Sequence, residues 1–282
     1  MRDYAAASIH SDLRVFADAE SLSRAAADLF ARAASTAVAA RGVFRVALAG
    51  GGTPKQLYTL LARTPYREGV PWSAVEFFWG DERPVSPAHS DSNFGMAHAA
   101  LLTPLGIAKD RIHRMQGECP DLDDAAEAYQ TEMAHAFGVS ADAKPPAFDL
   151  ILLGMGADGH TASLFPHSEA LAEKERWVVA NRVAALKTAR LTLTYPVLNR
   201  ARRVLFLVTG GDKAKALAAV REGLLNIAQF PAQGVQPAGG ELLWFVNRAA
   251  AAELKHLSCA AETGRDRFPS QPTQPTTDEE AQ

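Results

Sequence analysis

Short apolar runs alternate along this chain with longer segments whose apolar residues recur at helical spacing. The runs at Val43–Ala49, Val75–Trp79, Phe148–Leu153 and Arg203–Thr209 are typical of strands buried on both faces. Such alternation predicts an α/β fold with an open, mainly parallel sheet and helices on both faces, of the doubly wound, Rossmann-like type. We expect a single domain over residues 1–262, followed by a disordered tail over 263–282 that is rich in Pro, Gln and Thr.

Flanking segments extend this pattern at both ends. Leu13–Phe16 predicts an edge strand, and Asp18 is placed to cap a helix that ends near Gly42. Another helix is expected from Asp121 to Phe137, and weaker strands are expected at Trp177–Arg182 and Leu191–Thr194. Near the end, the pattern predicts a last strand at Leu242–Val246 and a last helix at Ala249–Leu257.

Glycines follow four of the predicted strands directly, at Gly50, Gly80, Gly154 and Gly210. In an open α/β sheet, ligands bind outside the carboxyl ends of the strands. We therefore expect the four turns to lie along one edge of the sheet and to form one site.

The first of these turns has the features of an anion site. Gly50, Gly51 and Gly52 let the backbone approach a ligand closely, Thr53 is a suitable N-cap, and Pro54 suits the first helical position. The free N–H groups of a helix N-terminus attract phosphate. A plain strand-to-helix turn is the alternative, but three consecutive glycines exceed what such a turn needs.

The third turn carries proton-transfer chemistry. Asp158 and His160 follow a buried strand, and histidine is the residue type that exchanges protons near neutral pH. The spacing of Gly154, Gly156 and Gly159 also matches the dinucleotide-binding fingerprint. That interpretation is weaker because Pro166 soon interrupts the chain and no acidic residue closes the next strand. A hydrogen-bonded loop histidine without a function is the other alternative.

Charged residues accompany the second turn and a later strand. Asp81 is suited to accept hydrogen bonds from hydroxyl groups, and Arg83 to bind a phosphate or a developing oxyanion. Lys187 and Arg190 precede the strand at Leu191–Thr194 and are two more candidate cations. Surface ion pairs or solvated charges are the alternative for all of these groups.

Net charge, cysteine content and the N-terminal segment limit the partners and the compartment that we expect for this protein. The 282 residues have a formal net charge of -3, so nothing in the balance favours nucleic acid or an anionic membrane as a partner. Cys119 and Cys259 are far apart and are expected to be free thiols in a reducing compartment. The N-terminus lacks the apolar core of a signal peptide and no run is long enough to span a bilayer. We expect a cytoplasmic monomer or small homo-oligomer.

Taken together, the motifs resemble the 6-phosphogluconolactonase family over about residues 10 to 257. The matching pieces are Ala49–Pro54, Phe78–Arg83, Ser92–Met96, Gly154–Pro166, Arg190–Thr194 with Pro196–Asn199, and Gly210–Lys213. The resemblance implies hydrolysis of 6-phospho-D-glucono-1,5-lactone to 6-phospho-D-gluconate in the oxidative pentose phosphate pathway. It also implies that no metal and no organic cofactor take part.

The implied reaction assigns roles to particular residues. For that reaction, the groups available predict that His160 is the general base that activates water, that Asp158 supports it or a sugar hydroxyl, and that Arg83 stabilises developing charge. The loop from Gly50 to Thr53, helped by Lys187 or Arg190, is expected to hold the 6-phosphate. The implied substrate-binding residues are Gly50, Gly51, Gly52, Thr53, Asp81, Asn93, Gly156, Lys187 and Arg190. The chain departs from the family pattern at Asn247, where Asp is usual, and around Lys187, where the family segment is richer in proline.

Three other functions remain alternatives. A glucosamine-6-phosphate isomerase/deaminase has a similar fold, but that family reads Asn-Glu-Pro where this chain has Leu164-Phe165-Pro166. A non-catalytic sugar-phosphate sensor would keep the phosphate loop without needing Asp158 and His160. A hydride-transfer enzyme would follow from the weaker dinucleotide interpretation.

Overall fold

The computed structural model describes residues 11–183 and 188–256. Strands of the main sheet are β1 (Ser11–Phe16), β2 (Phe44–Leu48), β3 (Val75–Trp79), β5 (Leu150–Leu153), β8 (Arg203–Val208) and β9 (Glu241–Asn247). The other strands are β4 (Asp81–Glu82), β6 (Val178–Val183) and β7 (Thr188–Leu193). The α-helices are α1 (Ala19–Arg41), α2 (Gly52–Leu61), α3 (Tyr66–Gly69), α4 (Asn93–Ala97), α5 (Thr103–Leu105), α6 (Leu122–Phe137), α7 (Tyr195–Leu198) and α8 (Ala214–Glu222).

Shorter helical turns complete the described elements. A π-helix at His98–Leu102 joins α4 to α5. Single 3-10 turns lie at Trp72–Ala74, Lys109–Arg111, Glu169–Ala172, Gly211–Lys213 and Pro231–Gly234.

Six strands form the main sheet, in the order β1-β9-β8-β5-β2-β3, and each pair of neighbours is parallel. The predicted open parallel sheet is therefore confirmed, with β1 at an edge as expected. In β5, Ile151 and Leu153 point into one hydrophobic cluster while Leu150 and Leu152 point into the other. This period-2 alternation between two apolar cores explains why the strand is apolar throughout.

Helices cover both faces of the sheet. On one face, α1 contributes Leu22, Ala26 and Phe30, which are fully buried with residues of α2. On the other face, α6 and α8 bury residues such as Met133 and Leu217. Both long helices begin where the sequence predicts. The side chain of Asp18 accepts from Ser21 N, and that of Asp121 from Asp123 N and Asp124 N.

A second, three-stranded antiparallel sheet with the order β4-β7-β6 corrects the prediction of one sheet. Only residues 184–187 connect β6 to β7. A connection of that length suits a hairpin, because two parallel strands need a crossover of about a dozen residues or more. The small sheet is joined to the end of β3, since Leu193 N donates to Gly80 O at 2.8 Å.

The predicted last helix at Ala249–Leu257 is wrong for its described part, where residues 248–253 form turns. Asn247 Oδ1 accepts hydrogen bonds from Gly210 N at 3.2 Å and from Ala250 N at 3.0 Å, so this side chain fixes the start of the turn. The residue at which the chain departs from the family pattern therefore joins the end of β9 to the turn after β8.

Several expectations fall outside the described residues, namely those for the tail at 263–282, for Cys259 and for Lys187. Cys119 is a free thiol. Among residues 11–183 and 188–256, no helix combines the length and the apolar character needed to cross a membrane.

Candidate active site

A cavity of about 630 Å³ lies at the carboxyl ends of β2, β3, β5 and β8. The parallel register aligns Leu48 with Trp79, so the turns after β2 and β3 leave the sheet at the same level. The residues with candidate chemistry that line the cavity are Gly50, Gly51, Gly52, Thr53, Asp81, Arg83, Gly156, Asp158, His160, Ser163, Arg190, Thr209 and Lys213. The turns after these four strands therefore lie at one edge of the sheet, where residues of each contribute to the cavity lining; that they form one functional site stays a prediction.

Backbone hydrogen bonds close the turn after β5 tightly. Gly156 N donates to His160 O at 2.9 Å and Gly159 N to Gly156 O at 3.0 Å. A Cβ atom at Gly156 would lie 2.1 Å from His160 Nδ1 and 2.5 Å from Asp158 Oδ1. Glycine is therefore required here because the two side chains fold back over the backbone. The role of Gly156 that the geometry supports is to make room for the His160 ring.

Asp158 and His160 form a hydrogen-bonded pair. His160 Nδ1 lies 2.6 Å from Asp158 Oδ1, which also accepts from the backbone N of His160 at 3.1 Å. The imidazole stacks on the ring of Phe165, with 4.3 Å between centroids. Nδ1 is thereby engaged, and Nε2 remains as the nitrogen available for proton transfer.

The charge of Asp158 is stabilised within this pair. Partial burial acts to raise its pKa, but the hydrogen bond and charge of His160, together with backbone N–H groups, outweigh burial and hold the pKa below its ordinary value. Asp158 is therefore ionised wherever the histidine works as a base, and it favours the tautomer with the proton on Nδ1.

The glycine loop leads directly into α2. Gly51 is the N-cap, with φ 101°, and no side chain caps the helix. The expectation that Thr53 caps the helix is wrong, because the helix starts at Gly52, two residues before the expected first position at Pro54. Thr53 Oγ1 instead lies 2.6 Å from Thr209 Oγ1, which ties the loop to the end of β8. The uncapped N–H groups at the start of α2 keep the character of an anion site.

Asp81 connects the elements behind the cavity. Its carboxylate, 8% exposed, accepts from Ser163 Oγ at 2.7 Å and from Asn93 Nδ2 at 3.1 Å. Asn93 Nδ2 also donates to the Asp81 carbonyl at 2.9 Å. Asn93 itself is buried and does not line the cavity. Its Oδ1 lies against Gly50, where a Cβ atom would come within 1.7 Å of it.

The neighbouring carboxylate of Glu82 organises the loop that carries Arg83. Glu82 is 2% exposed and accepts from the backbone N atoms of Arg83, Asn93 and Phe94, each at 2.8 Å. Burial raises its pKa, against the lowering effect of these N–H groups. Glu82 therefore fixes both ends of the 83–92 loop and takes no part in the cavity lining.

Among the residues that the structure describes, three cations line the cavity: Arg83, Arg190 and Lys213. The guanidinium of Arg83 donates to the carbonyl of Asp91, and Lys213 Nζ lies 2.9 Å from Asp212 Oδ2. Burial and, secondarily, the positive charge of Arg83 lower the pKa of Arg190. Two guanidinium groups held close enough to repel each other form a site that an anion stabilises.

Of the eleven predicted site residues that the structure describes, ten line the cavity and Asn93 does not; Lys187 lies outside the described residues. Lys213 was missed, although it stands in a matching family motif. The sequence could have indicated Lys213, since it follows a strand and a glycine turn in the same way that Arg83 follows Val75–Trp79 and Gly80. Ser163, which anchors Asp81, was also missed, because the pairing of residues 81 and 163 cannot be inferred from spacing.

A resident metal was not expected, and this stays a prediction. Among the described residues, no group of three or more His, Cys, Asp or Glu side chains is placed to hold a metal ion.

Comparison with known proteins relates the chain to one family. The family of glucosamine-6-phosphate isomerases/6-phosphogluconolactonase matches residues 17–244. A 6-phosphogluconolactonase of Synechocystis sp. is 45% identical over 220 residues, which cover 78% of this chain and 88% of the relative. One of Nostoc sp. is 40% identical over 246 residues, covering 86% and 98%.

Solved structures agree with the sequence relatives. A 6-phosphogluconolactonase from Trypanosoma cruzi superposes with a TM-score of 0.78 at 29% identity, covering 88% of this chain and 98% of that one. A monomeric glucosamine-6-phosphate deaminase superposes with a TM-score of 0.71 at 21% identity, which shows a shared fold alone. This chain therefore belongs to the glucosamine-6-phosphate isomerase/6-phosphogluconolactonase family.

Proposed function

We propose that this protein hydrolyses 6-phospho-D-glucono-1,5-lactone to 6-phospho-D-gluconate. The names of its relatives support this activity. The observation that carries it in this chain is the Asp158–His160 pair, which lies in the same cavity as three cations. A base and an anion site side by side suit a phosphorylated ester that reacts with water.

His160 Nε2 takes a proton from water as the water oxygen attacks C1 of the lactone. The resulting oxyanion collapses, the bond between C1 and the ring oxygen breaks, and the protonated imidazole returns a proton to that oxygen. The products are the C5 hydroxyl and a C1 carboxylic acid, which ionises. Asp158 holds the ring in place through Nδ1 and stabilises the imidazolium that forms during the reaction.

The cations divide between the two charged parts of the substrate. The uncapped start of α2, with Lys213 at the turn after β8, forms one anion site for the 6-phosphate. Arg83 and Arg190 lie close to each other and stabilise charge on the C1 oxygen. Asp81 accepts hydrogen bonds from sugar hydroxyls.

The residues that contact His160 favour lactone hydrolysis over isomerisation. At the position where the isomerase/deaminase group has a glutamate, this chain has Phe165, whose ring stacks on His160. The preceding Leu164 is fully buried. A histidine backed by an aromatic ring and by Asp158 retains its base chemistry, but it lacks the second carboxylate that the deaminase would use.

The test is hydrolysis of freshly generated lactone, with the spontaneous rate in buffer subtracted. We expect acceleration over buffer, and no release of ammonia from glucosamine 6-phosphate. A folded protein that leaves the lactone rate unchanged and releases ammonia would replace this proposal with the deaminase.

Replacement of Asp158 by Asn should lower kcat about 10²-fold and leave KM within a few-fold. The amide disfavours the required tautomer and no longer stabilises the imidazolium, while the anion site is untouched. Steady-state kinetics with lactone measure both constants. A KM effect without a kcat effect would move Asp158 from histidine support to substrate binding.

The same variant should change stability at acid pH. Because the pKa of Asp158 is lowered in the folded protein, its stabilising contribution is present above the unfolded carboxyl pKa and is lost as the pH falls through the folded value. We expect Asp158→Asn to remove part of the acid-side loss of stability below about pH 4. Thermal unfolding between neutral and acid pH measures this, and identical pH profiles for both proteins would contradict it.

Replacement of Lys213 by Ala should raise KM about tenfold or more with a small change in kcat, because a phosphate contact exists in both ground and transition states. Lys215→Ala is the matched control, since Lys215 is exposed on α8 and does not line the cavity. If the two variants had equal KM values, Lys213 would not be a phosphate ligand.

A further inference from the structure

A second and larger cavity lies beside the first, between α2 and the segment that runs from residue 87 to 104. Its volume is about 940 Å³. We call it the α2 groove and define it by Lys55, Arg63, His89, Met96 and His98. None of its described lining residues also lines the cavity that contains Asp158 and His160.

The charge of the α2 groove is mainly positive, and an acidic group near it is Asp91, whose Oδ2 lies 3.9 Å from His89 Nδ1. Lys55 and Arg63 have no ion-pair partner within the part of the chain that the structure describes. His89 and His98 add two imidazoles, and none of the described lining residues is acidic. The chain as a whole has a net charge of -3, so this cluster runs against the overall balance. Such a groove attracts anions.

The walls between the cations are mainly apolar. They include Ala62, Met96, Ala100 and Pro104. The His98 ring packs at a tilt of 39° against the Phe94 ring, with 5.3 Å between centroids, so the groove wall includes a supported imidazole. A bare inorganic anion would leave this apolar surface uncovered. A ligand that combines a flat ring with phosphate would cover it and pair with the cations as well.

The spacing of the cations favours an elongated ligand. Lys55 lies near the start of α2 and Arg63 lies two residues beyond its end at Leu61; the helical part between them rises roughly 9 Å. A ligand with a phosphate chain and a ring spans this distance. We propose that the α2 groove binds a nucleotide, with its phosphates on Lys55 and Arg63 and its base against the wall of Met96 and His98.

The α2 groove is linked to the substrate cavity by contacts within the 83–92 loop. Its wall includes Pro87, His89 and Ser90. Asp91 N donates to His89 Nδ1 at 3.1 Å, and the Asp91 carbonyl accepts from the guanidinium of Arg83. A nucleotide that moves the His89 ring therefore moves the group that holds Arg83. This coupling rests on the proposed function, whereas nucleotide binding itself does not.

Calorimetric titration with ADP tests the binding. We expect saturable binding to the wild-type protein and at least a tenfold loss of affinity in the double variant Lys55→Ala/Arg63→Ala. Arg67→Ala/Lys109→Ala is the matched control, because both of its residues are exposed cations outside either cavity. Absence of binding to folded wild-type protein at millimolar ADP, or equal binding by all three proteins, would overturn the proposal.

Two further arms locate and identify the ligand. ADP affinity should be unchanged in Lys213→Ala; a matching loss there would place ADP in the substrate cavity and overturn the groove assignment. Inorganic pyrophosphate should bind at least tenfold more weakly than ADP. Equal affinity for pyrophosphate would overturn the assignment of a nucleotide, because the ring would then add nothing.

The coupling to Arg83 has its own readout. Saturating ADP should change the KM for lactone in the wild-type protein and leave it unchanged in Lys55→Ala/Arg63→Ala. An unchanged wild-type KM would overturn the coupling. If no lactone hydrolysis is found at all, the calorimetric comparison still decides whether the groove binds ADP, so the two proposals fail separately.

Discussion

Replacement of His160 by Ala is expected to lower kcat/KM for lactone hydrolysis about 10³-fold, the usual range for loss of a positioned general base. The His160 side chain contacts Asp158 and Phe165 at the edge of the cavity and is not one of the buried core residues. The fold should therefore persist, with an unchanged circular dichroism spectrum. Rates must be corrected for spontaneous hydrolysis, which sets the lower limit of the measurement.

The matched control is His167→Asn, on the same loop. His167 has φ 60° and lies outside the cavity lining, with its ring against Gln229 at 3.1 Å. Asparagine tolerates this left-handed backbone conformation. The rate of lactone hydrolysis by the variant His167→Asn should stay within a few-fold of that of the wild-type protein. If His160→Ala kept wild-type activity while folded, the base would have to be sought elsewhere in the cavity.

Replacement of Asn93 by Asp should have the second largest effect, although Asn93 does not line the cavity. The wild-type amide donates to the carboxylate and the carbonyl of Asp81. The variant would place a second carboxylate against the first in a buried site. We expect a destabilisation of about 3 kcal/mol at pH 7 and a large loss of activity, because Asp81 would no longer be held as a charged acceptor.

The sign of the pH dependence follows from the carboxylate pair. In the folded variant the two carboxylates would share a proton, while the unfolded chain releases it at neutral pH. The folded state thus binds more protons, and the free energy of unfolding should fall as pH rises from about 5 to about 8. Chemical unfolding across this range measures the effect.

Asn226→Asp is the control for this substitution. It makes the same replacement at an exposed position, where the side-chain oxygen accepts from Gln229 N and an Asp oxygen can do the same. Its stability should match that of wild type at each pH. If Asn93→Asp behaved like this control, the contact between Asn93 and Asp81 would not matter for folding or catalysis.

The order of strands and helices could be predicted from the sequence because it depends on apolar runs, glycines and capping residues that are close together along the chain. The strand β3 was predicted with its observed bounds, Val75–Trp79, since an apolar run ends there in Gly80. The helix α6 was predicted over its observed length, with Asp121 as the cap at its start; the structure adds that Gly138 ends it in a left-handed conformation. The resemblance to known family motifs added the expected reaction and the expected roles of the residues in these turns.

Failures of prediction have a common cause, which is dependence on distant partners. Thr53 reads locally as a helix cap, but its hydroxyl contacts Thr209, 156 residues away. The strands β6 and β7 look like members of the main sheet until their short connection pairs them as a hairpin. Asn93 looks like a ligand of substrate because it stands in a family motif, yet it is 1% exposed behind Asp81.

The sequence by itself determined the parallel α/β sheet, the glycine turns at the ends of its strands, and the Asp158–His160 pair, because each arises from neighbouring residues along the chain. Only the tertiary structure decided which cations share the cavity, that Asp81 is held between Ser163 and Asn93, and that a positively charged groove lies beside the site. These arrangements join residues that are tens to more than a hundred positions apart. Their distances are set by how strands align and helices pack, which local sequence patterns do not encode.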